Sequence, residues 1–264
     1  MGSRLGLRAV ALGYLVVILL APLALVFYRT FESGLHPVWQ TLSDHNTAHA
    51  FEITLIATAV AVPLNTVFGV LCGLAIVRRR FPGKGVLNAF IDLPLAVSPV
   101  VIGLCLYLLY GRTGWFGSWF LGQGIQILFA LPAIVLATVF VSVPFVAREV
   151  IPTLRELGNE QEQAAATLGA TRWQRFWRIT LPSIRWAVIY GVVLTTARCL
   201  GEYGAVAVVS GRIVGKTETA TTLVEDLTLN FDTAGAYAVS LVLATIAVVV
   251  LVAMTVIRPR EGAL

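Results

Sequence analysis

Residues 53–77 read ITLIATAVAVPLNTVFGVLCGLAIV, an unbroken run without a single charged side chain. A helix of about 20 apolar residues, rising 1.5 Å per residue, crosses the ~30 Å hydrocarbon core of a bilayer. Because lipid offers a backbone no hydrogen-bond partners, a run of this length must satisfy its own hydrogen bonds as a helix. The stretch therefore predicts a transmembrane α-helix, which ends at Arg78-Arg79-Arg80.

Comparable apolar runs follow one another along the rest of the chain, at 9–28, 86–110, 127–147, 187–209 and 234–257. Of the 264 residues, 58% are hydrophobic and 12% are charged, against about 45–50% and about 25% in soluble domains. This composition excludes a soluble globular domain, a disordered chain and a disulfide scaffold. We predict an all-α membrane protein with six transmembrane helices.

The polar segments between the runs set the predicted organisation. We expect a first transmembrane helix with its N-terminal flank at 1–30, a core of five spans at 50–257 and a short tail at 258–264. Fourteen Lys and Arg residues fall in one set of flanking segments and four in the opposite set. Basic residues favour the cytoplasmic side, so both termini, the tail and the long polar loop at about 148–186 are predicted to be cytoplasmic.

The 148–186 loop contains a pattern of two short helices joined at a small-residue corner. Strong helix formers at 164–168 are followed by Gly169, which breaks or bends the run, and Pro182 ends the segment that follows. Arg172, Arg175 and Arg178 recur every three residues beside aromatic side chains. The loop is interpreted either as a docking element for a cytoplasmic protein or as a helix lying on lipid headgroups.

The same loop resembles the E-A-A-x-x-x-G and I-x-L-P signature of ABC importer permeases. The matching stretches are Gln163-Ala164-Ala165, Gly169 and Ile179-Thr180-Leu181-Pro182, and Gln163 replaces the glutamate of the signature. The resemblance implies a coupling helix that seats in a cleft of a separate ATPase. It implies the coupling residues Glu162, Gln163, Ala164, Ala165, Leu168, Gly169, Arg172, Leu181 and Pro182.

The resemblance covers nearly the whole chain after the first helix. The stretches 91–94, 97–101, 144–149 and 197–211 look like those of sulfate/thiosulfate permeases, and most like their W-type subunits. This implies a type I importer fold in a bacterial inner membrane, a T-type permease partner in a heterodimer, an ATP-binding subunit dimer and an extracytoplasmic sulfate-binding protein. ATP and Mg²⁺ would belong to the ATPase, so the chain is predicted to be no enzyme and to hold no cofactor. Nucleic acid is not an expected partner, whereas membrane lipid is.

Three ionisable residues lie within predicted spans: Asp92, Arg198 and Glu202. A charge at mid-bilayer costs about 2.5–3.5 kcal/mol on insertion scales, so such residues usually face a bundle interior or an aqueous path. Arg198 and Glu202 are four residues apart and are interpreted either as a neutralising pair or as the lining of an anion pathway. Gly201 and Ser98 are further candidates for that pathway, and Asp92 either caps a proline-broken helix or joins it.

Two other motifs come close to known sites. Ser210–Thr217 nearly spells a P-loop but lacks its first glycine, so no nucleotide site is predicted there. His45 and His49 lack the HExxH pattern and are interpreted as solvated loop residues, so no metal site is predicted. The open alternatives to a sulfate permease are a molybdate or tungstate ABC permease, a secondary anion transporter in which Asp92 and Glu202 carry protons, and a membrane-embedded enzyme.

Overall fold

The computed structural model describes residues 2–32 and 34–257, and these residues are helical with connecting turns. The first seven helices are α1 (Gly2–Glu32), α2 (Leu35–Ser43), α3 (His45–Arg78), α4 (Lys84–Ala96), α5 (Pro99–Tyr110), α6 (Gly117–Gly122) and α7 (Leu131–Ser142). The others are α8 (Pro144–Glu156), α9 (Glu160–Thr167), α10 (Arg172–Arg175), a π-helical turn (Phe176–Thr180), α11 (Leu181–Leu200), α12 (Gly204–Val209), α13 (Ala220–Leu229) and α14 (Thr233–Ile257). The predicted tail at 258–264 lies outside the described residues.

Among the described residues, four helical stretches are long and apolar enough to cross a bilayer: His45–Arg78, Leu131–Glu156, Arg172–Leu200 and Thr233–Ala253. Two bent pairs, α1 with α2 and α4 with α5, meet the same criterion when each pair is taken together. If each bent pair is one span, the total is six, as the hydropathy predicts.

Helix α3 shows how the bundle packs without a hydrophobic driving force between its helices. Its outward face carries large apolar side chains such as Leu64, Val67 and Leu71, whereas its buried face carries Ala57, Ala61, Asn65 and Gly69. A Cβ atom at Gly69 would lie 2.8 Å from the backbone nitrogen of Ala147 in α8. Small residues therefore allow the close backbone approach on which helix association in lipid depends.

A buried polar network joins the three central helices. The Asn65 side chain in α3 donates a hydrogen bond to the Ser142 hydroxyl of α7 at 2.7 Å and another to the Val139 carbonyl at 3.0 Å. The Cys199 thiol of α11 lies 3.3 Å from the same hydroxyl. Such hydrogen bonds hold α3, α7 and α11 together at the middle of the bundle.

The 86–110 run does not form one straight helix. It divides into α4 and α5, whose axes differ by 112°. Pro99 is the first residue of α5, and a proline disfavours the helical conformation in the residue before it. Ser98 consequently has an extended ψ of 137° and is the N-cap of α5.

The prediction of one span over 187–209 is wrong at both ends. The helix starts earlier, because the last turns of the polar loop continue into α11, and it ends at Leu200 with Gly201 as its C-cap. The chain then turns and forms the short helix α12, whose last residue, Val209, accepts a hydrogen bond from the Phe129 N–H at 3.0 Å. We refer to residues 201–219 as the re-entrant segment.

The two ends of the bundle differ in charge. At one end α3 finishes at Arg78 beside α9 and the π-helical turn, and we name this the arginine-rich end. At the opposite end α3 begins at His45, close to α2 and to the start of α14. The polar loop is also shorter than predicted, because α8 extends to Glu156.

Candidate functional site

The Arg198–Glu202 pair stands at the turn between α11 and α12. Nη2 of Arg198 lies 2.7 Å from Oε2 of Glu202, and the Glu202 side chain is 2% exposed while that of Arg198 is 29% exposed. The second carboxylate oxygen, Oε1, accepts a hydrogen bond from the Ala205 N–H at 2.9 Å. The Glu202 charge is thus balanced by a cation and by a donor near the start of α12, and Arg198 keeps free donors on an accessible face.

The backbone of Glu202 is held as firmly as its side chain. Its carbonyl accepts a hydrogen bond from the Thr221 hydroxyl at 2.7 Å. Thr221 lies in α13, and the residue before it, Ala220, donates its N–H to the Thr54 hydroxyl of α3 at 2.9 Å. These contacts connect the turn to α13, and α13 in turn to α3.

The two helix breaks meet in space. A Cβ atom on Gly204, the first residue of α12, would lie 3.0 Å from Cβ of Pro99 at the start of α5. Ser98 directly precedes this contact, is exposed, and its hydroxyl makes no capping hydrogen bond. Gly201 is also exposed. Broken helices that expose backbone and hydroxyl groups inside a bundle are typical of ligand pathways in transporters.

Asp92 has a partner that its position in the sequence does not reveal. Its carboxylate forms a bidentate ion pair with the Arg148 guanidinium of α8, in which Nε of Arg148 donates to Oδ1 and Nη2 to Oδ2. Asn88 Nδ2 lies 3.5 Å from Oδ2. Both charged side chains are about two-fifths exposed, at 38% each. The pair therefore connects α4 to α8, and Asp92 does not cap the helix break after Ala96.

At the arginine-rich end, Glu162 organises the predicted coupling loop. Its Oε1 atom lies 3.0 Å from Nη2 of Arg78 and accepts a hydrogen bond from the Thr180 hydroxyl at 3.0 Å. Its backbone carbonyl accepts a hydrogen bond from Arg175 at 3.4 Å. One carboxylate thus joins α9, the end of α3 and the π-helical turn. Gln163, by contrast, is exposed.

The corner after α9 is the most exposed apolar point of the loop. Leu168 is 89% exposed, and Gly169 adopts a left-handed conformation with φ of +82°. Gly169 N–H donates to the Ala166 carbonyl at 3.1 Å and Ala170 N–H to the Ala165 carbonyl at 3.0 Å. This pair of hydrogen bonds is a Schellman motif. The glycine is needed for its backbone angle, and a Cβ atom there would meet no described residue within 4 Å.

The remaining predicted coupling residues surround this corner. Ala164 and Arg172 are exposed, Ala165 and Leu181 are half-buried, and Pro182 is the second residue of α11. Thr171 starts the second short helix with a capping box, in which its hydroxyl accepts the Gln174 N–H at 3.3 Å. The structure therefore places Ala164, Ala165 and Arg172 on the helix–turn–helix of α9 and α10, and Leu181 and Pro182 at the start of α11.

Sequence reasoning missed three partners of the predicted residues: Arg78, Thr180 and Arg148. Arg78 was counted only as a basic flanking residue, although it reaches both Glu162 and the Leu154 carbonyl, the latter at 3.2 Å.

The stretch 210–217, which nearly matches a P-loop, closes on itself, because the Thr217 hydroxyl donates a hydrogen bond to the Ser210 carbonyl at 2.6 Å. His49 Nδ1 lies 3.4 Å from Oε2 of Glu52.

Comparison with known proteins agrees with this geometry. The sequence model of the family described as "Binding-protein-dependent transport system inner membrane component" matches residues 65–262. The class of protein is therefore a membrane subunit of a transport system. The chain belongs to this family, and the prediction of an ABC permease is confirmed.

Similar curated proteins span nearly the full chain. The sulfate transport system permease protein CysW of Synechocystis sp. is 51% identical over 256 residues, which cover 97% of this chain and 93% of that protein. CysW of Escherichia coli is 43% identical, covering 95% of this chain and 87% of the relative. The sulfate transport system permease protein CysT of Escherichia coli is 36% identical and covers 94% of this chain and 90% of the relative.

The fold is found in solved transporters of lower identity. A chain of a bacterial alginate ABC transporter, in complex with a periplasmic protein, superposes with a TM-score of 0.80 at 17% identity, covering 98% of this chain and 95% of that one. An amino acid ABC transporter chain gives a TM-score of 0.53 at 18% identity, covering 80% and 92%. The predicted all-α ABC importer permease fold is confirmed.

Proposed function

We propose that this chain is a permease subunit of an ATP-driven sulfate importer, in which it forms half of the translocation pathway. The observation that carries the proposal is the 51% identity to a CysW protein over 97% of the chain. The broken helices around Gly204 and Pro99 support a pathway in the middle of the bundle. In this proposal the arginine-rich end, with both termini, faces the cytoplasm.

Energetics favour a driven process for such a substrate. Moving a dianion into a cell held 100 mV negative inside costs about 4.6 kcal/mol before any concentration gradient. A passive pore would release sulfate from the cell. ATP hydrolysis in a separate ATP-binding subunit dimer, which holds ATP and Mg²⁺, supplies the work. Thiosulfate, another dianion of similar shape, would face the same cost.

The coupling loop is proposed to transmit that work. The exposed Leu168–Gly169 corner would dock in the ATPase, and Glu162 would carry the movement to Arg78 of α3 and Thr180 before α11. A T-type permease, similar to CysT proteins, would form the second half of the pathway. An extracytoplasmic sulfate-binding protein would deliver the anion at the opposite end of the bundle.

Arg198 is proposed to attract the anion. Its guanidinium is always charged, and its planar arrangement of donors suits tetrahedral oxyanions. The accessible face of Arg198 leaves donors free, whereas Glu202 prevents the anion from binding too tightly. Gly201 and Ser98, both exposed near the helix breaks, would line the route.

Reconstitution tests the proposal. The chain is placed in proteoliposomes with a T-type permease, an ATP-binding subunit and a sulfate-binding protein, and uptake of radiolabelled sulfate is measured with and without internal ATP. Uptake that needs ATP and survives a protonophore supports the importer. Uptake that needs a proton gradient and no ATP would establish the secondary transporter instead. Competition by excess molybdate but not thiosulfate would indicate the molybdate alternative.

A further inference from the structure

An acidic cavity of about 480 Å³ lies at the opposite end of the bundle, lined by α2, the beginnings of α3 and α14, and the C-terminal half of α13. Four carboxylates line it: Asp44, Glu218, Asp226 and Asp232. The residues that line it include no Lys, Arg or His. Without a counterion, this concentration of negative charge in a partly enclosed space is unfavourable.

Two of the four carboxylates are already engaged with helix N-termini. Asp44 Oδ2 accepts the N–H groups of Asn46 and Thr47 at 3.0 and 3.3 Å. Asp232 Oδ1 accepts the Gly235 N–H at 3.0 Å. These two are stabilised as helix caps. The uncompensated charge therefore lies with Glu218 and Asp226.

Glu218 is the unusual member of the cavity. It is 1% exposed, and neither of its carboxylate oxygens accepts a hydrogen bond from the described part of the chain. Burial, together with the neighbouring Asp226 carboxyl group, raises the pKa of Glu218 to about 7. A buried ionisable group without a donor is costly unless a ligand compensates it.

Among the described residues near Glu218, no positively charged side chain lines the cavity. Arg212, in the same re-entrant segment, is paired with Glu225 at 2.7 Å between Nη1 and Oε2. Lys216 is exposed and does not line the cavity. The compensating charge must come from a proton or from another molecule.

The shape and the walls indicate which cation fits. Pro37, Val214, Leu223 and Leu227 provide apolar wall beside the carboxylates. Lysine and arginine side chains bury an apolar stem and present a charged head, which matches this arrangement. A metal ion such as Ca²⁺ takes six to eight oxygen ligands, and the described residues contain no group of three His, Cys, Asp or Glu side chains placed to hold one.

We propose that the cavity receives a basic side chain of the extracytoplasmic binding protein, which is held by Glu218 with Asp226. The inference rests on the proposed function, since that function requires such a partner at this end of the bundle. Gln40, Asn230 and Asp232 are exposed at the cavity and open it to the outside of the chain. Docking of the partner would then neutralise Glu218, which links delivery of the substrate to the re-entrant segment that leads back to Arg198.

The test is a binding titration on the assembled transporter in nanodiscs. The probe is the fluorescently labelled, sulfate-loaded sulfate-binding protein, added at pH 8 to the wild type and to Glu218→Gln, Asp226→Asn and Glu32→Gln. Glu32 is a matched control, because its exposed carboxylate pairs with Arg29 and lies outside the cavity. We expect at least tenfold weaker binding for the two cavity variants and a change below twofold for the control.

A second measurement locates the basic residue and does not depend on Glu218→Gln assembling. Each Lys and Arg on the docking face of the binding protein is replaced by alanine and titrated against the wild-type transporter and Asp226→Asn. We expect one replacement to weaken binding to the wild type at least tenfold and to have little further effect on Asp226→Asn. That non-additivity is the signature of a direct pair.

The outcomes separate the two proposals. If the binding protein binds the wild type and stimulates its ATPase, but the cavity variants bind within twofold of it, the cavity proposal is wrong and the proposed function stands. If the binding protein neither binds the wild-type complex nor stimulates it, the proposed function fails, and the cavity proposal fails with it.

Discussion

Nη2 of Arg198 and Oε2 of Glu202 lie 2.7 Å apart at the point where α11 ends, and Oε1 of Glu202 at the same time accepts the Ala205 N–H. Glu202 is therefore both the counterion of Arg198 and a hydrogen-bond acceptor that supports the re-entrant segment. A glutamine at this position would keep an acceptor oxygen for the Ala205 N–H and would lose the negative charge. The two roles of the pair, structural neutralisation and attraction of an anion, can thus be separated by substitution.

The double variant Arg198→Gln, Glu202→Gln is expected to assemble with its partners, because both charges are removed together and no orphan charge remains. Sulfate uptake should fall at least tenfold in proteoliposomes while the ATPase remains stimulated by the binding protein. Arg198→Lys with Glu202 intact is the control and should retain part of the uptake. Near wild-type uptake by the double variant would show that the pair is only structural.

Glu162 and Gln163 are adjacent, but substitution of Glu162 is expected to impair coupled uptake and substitution of Gln163 is not. Glu162 is held by Arg78 and Thr180, whereas Gln163 is exposed. Glu162→Gln leaves Arg78 without its carboxylate, and hydrogen bonds to charged groups contribute about 1.5–3 kcal/mol. We expect the ATPase to bind this variant but to lose most of its coupled uptake.

The matched control is Gln163→Glu, which restores the family signature and should leave uptake within twofold of the wild type. The measurement is the ratio of sulfate transported to ATP hydrolysed. An unchanged ratio in Glu162→Gln would mean that the carboxylate has no part in transmission between the loop and α3.

At Gly169 a substituted residue is expected to preserve ATPase binding only if it adopts a left-handed backbone readily and is not bulky. Left-handed backbone costs a non-glycine residue roughly 1–2 kcal/mol, and asparagine adopts it most readily. Gly169→Asn should retain most ATPase in co-purification, whereas Gly169→Val should lose it. Gly158, also left-handed at φ of +62° and in open space, provides the control: Gly158→Val should strain the loop and still recover the ATPase. Equal losses at both positions would argue against docking at the Leu168–Gly169 corner.

The extent to which sequence predicted the structure depended on the range of each interaction. Hydropathy located the spans because lipid imposes one constraint on every residue of a helix. The Arg198–Glu202 contact followed from a spacing of four residues, even though the helix ends between them. The Asp92–Arg148 pair joins residues 56 positions apart, and no local pattern signals a contact at that separation.

The breaks in the helices were only partly predictable. Pro99 gave a local signal for the bend before α5. The turn after Leu200 gave none of comparable strength, because it depends on tertiary contacts: Thr221 holds the Glu202 carbonyl, and Thr54 receives the Ala220 N–H. No sequence pattern marks Glu218 as buried, because it is 1% exposed only in the folded chain, beside residues of α2, α3 and α13 that are distant in sequence.

Orientation is tested by cysteine labelling in intact cells. Leu168→Cys and Lys216→Cys replace exposed residues at opposite ends of the bundle. If the arginine-rich end is cytoplasmic, a membrane-impermeant maleimide should label only position 216, and position 168 should react only after permeabilisation. The chain without either substitution controls for Cys72, Cys105 and Cys199. Labelling of position 168 from outside would reverse the orientation.

Replacing Glu218 by the neutral residue glutamine is expected to stabilise the folded chain, and more strongly at high pH than at low pH. The pKa of Glu218 rises from an ordinary value of 4.5 to about 7 on folding, chiefly because of burial. Between these two pH values the folded state therefore binds more protons than the unfolded state, so the free energy of unfolding decreases as pH rises from 4.5 to 7.

The variant Glu218→Gln cannot ionise and avoids this loss. Since one pKa unit corresponds to about 1.4 kcal/mol, its free energy of unfolding should exceed that of the wild type by up to about 3 kcal/mol at pH 8 and by under about 1 kcal/mol at pH 5. The readout is the thermal unfolding midpoint of the purified subunit, which should rise by several degrees at pH 8 and by much less at pH 5. Glu225→Gln, which breaks the pair with Arg212, should show no such gain, and an equal shift of Glu218→Gln at both pH values would contradict the prediction.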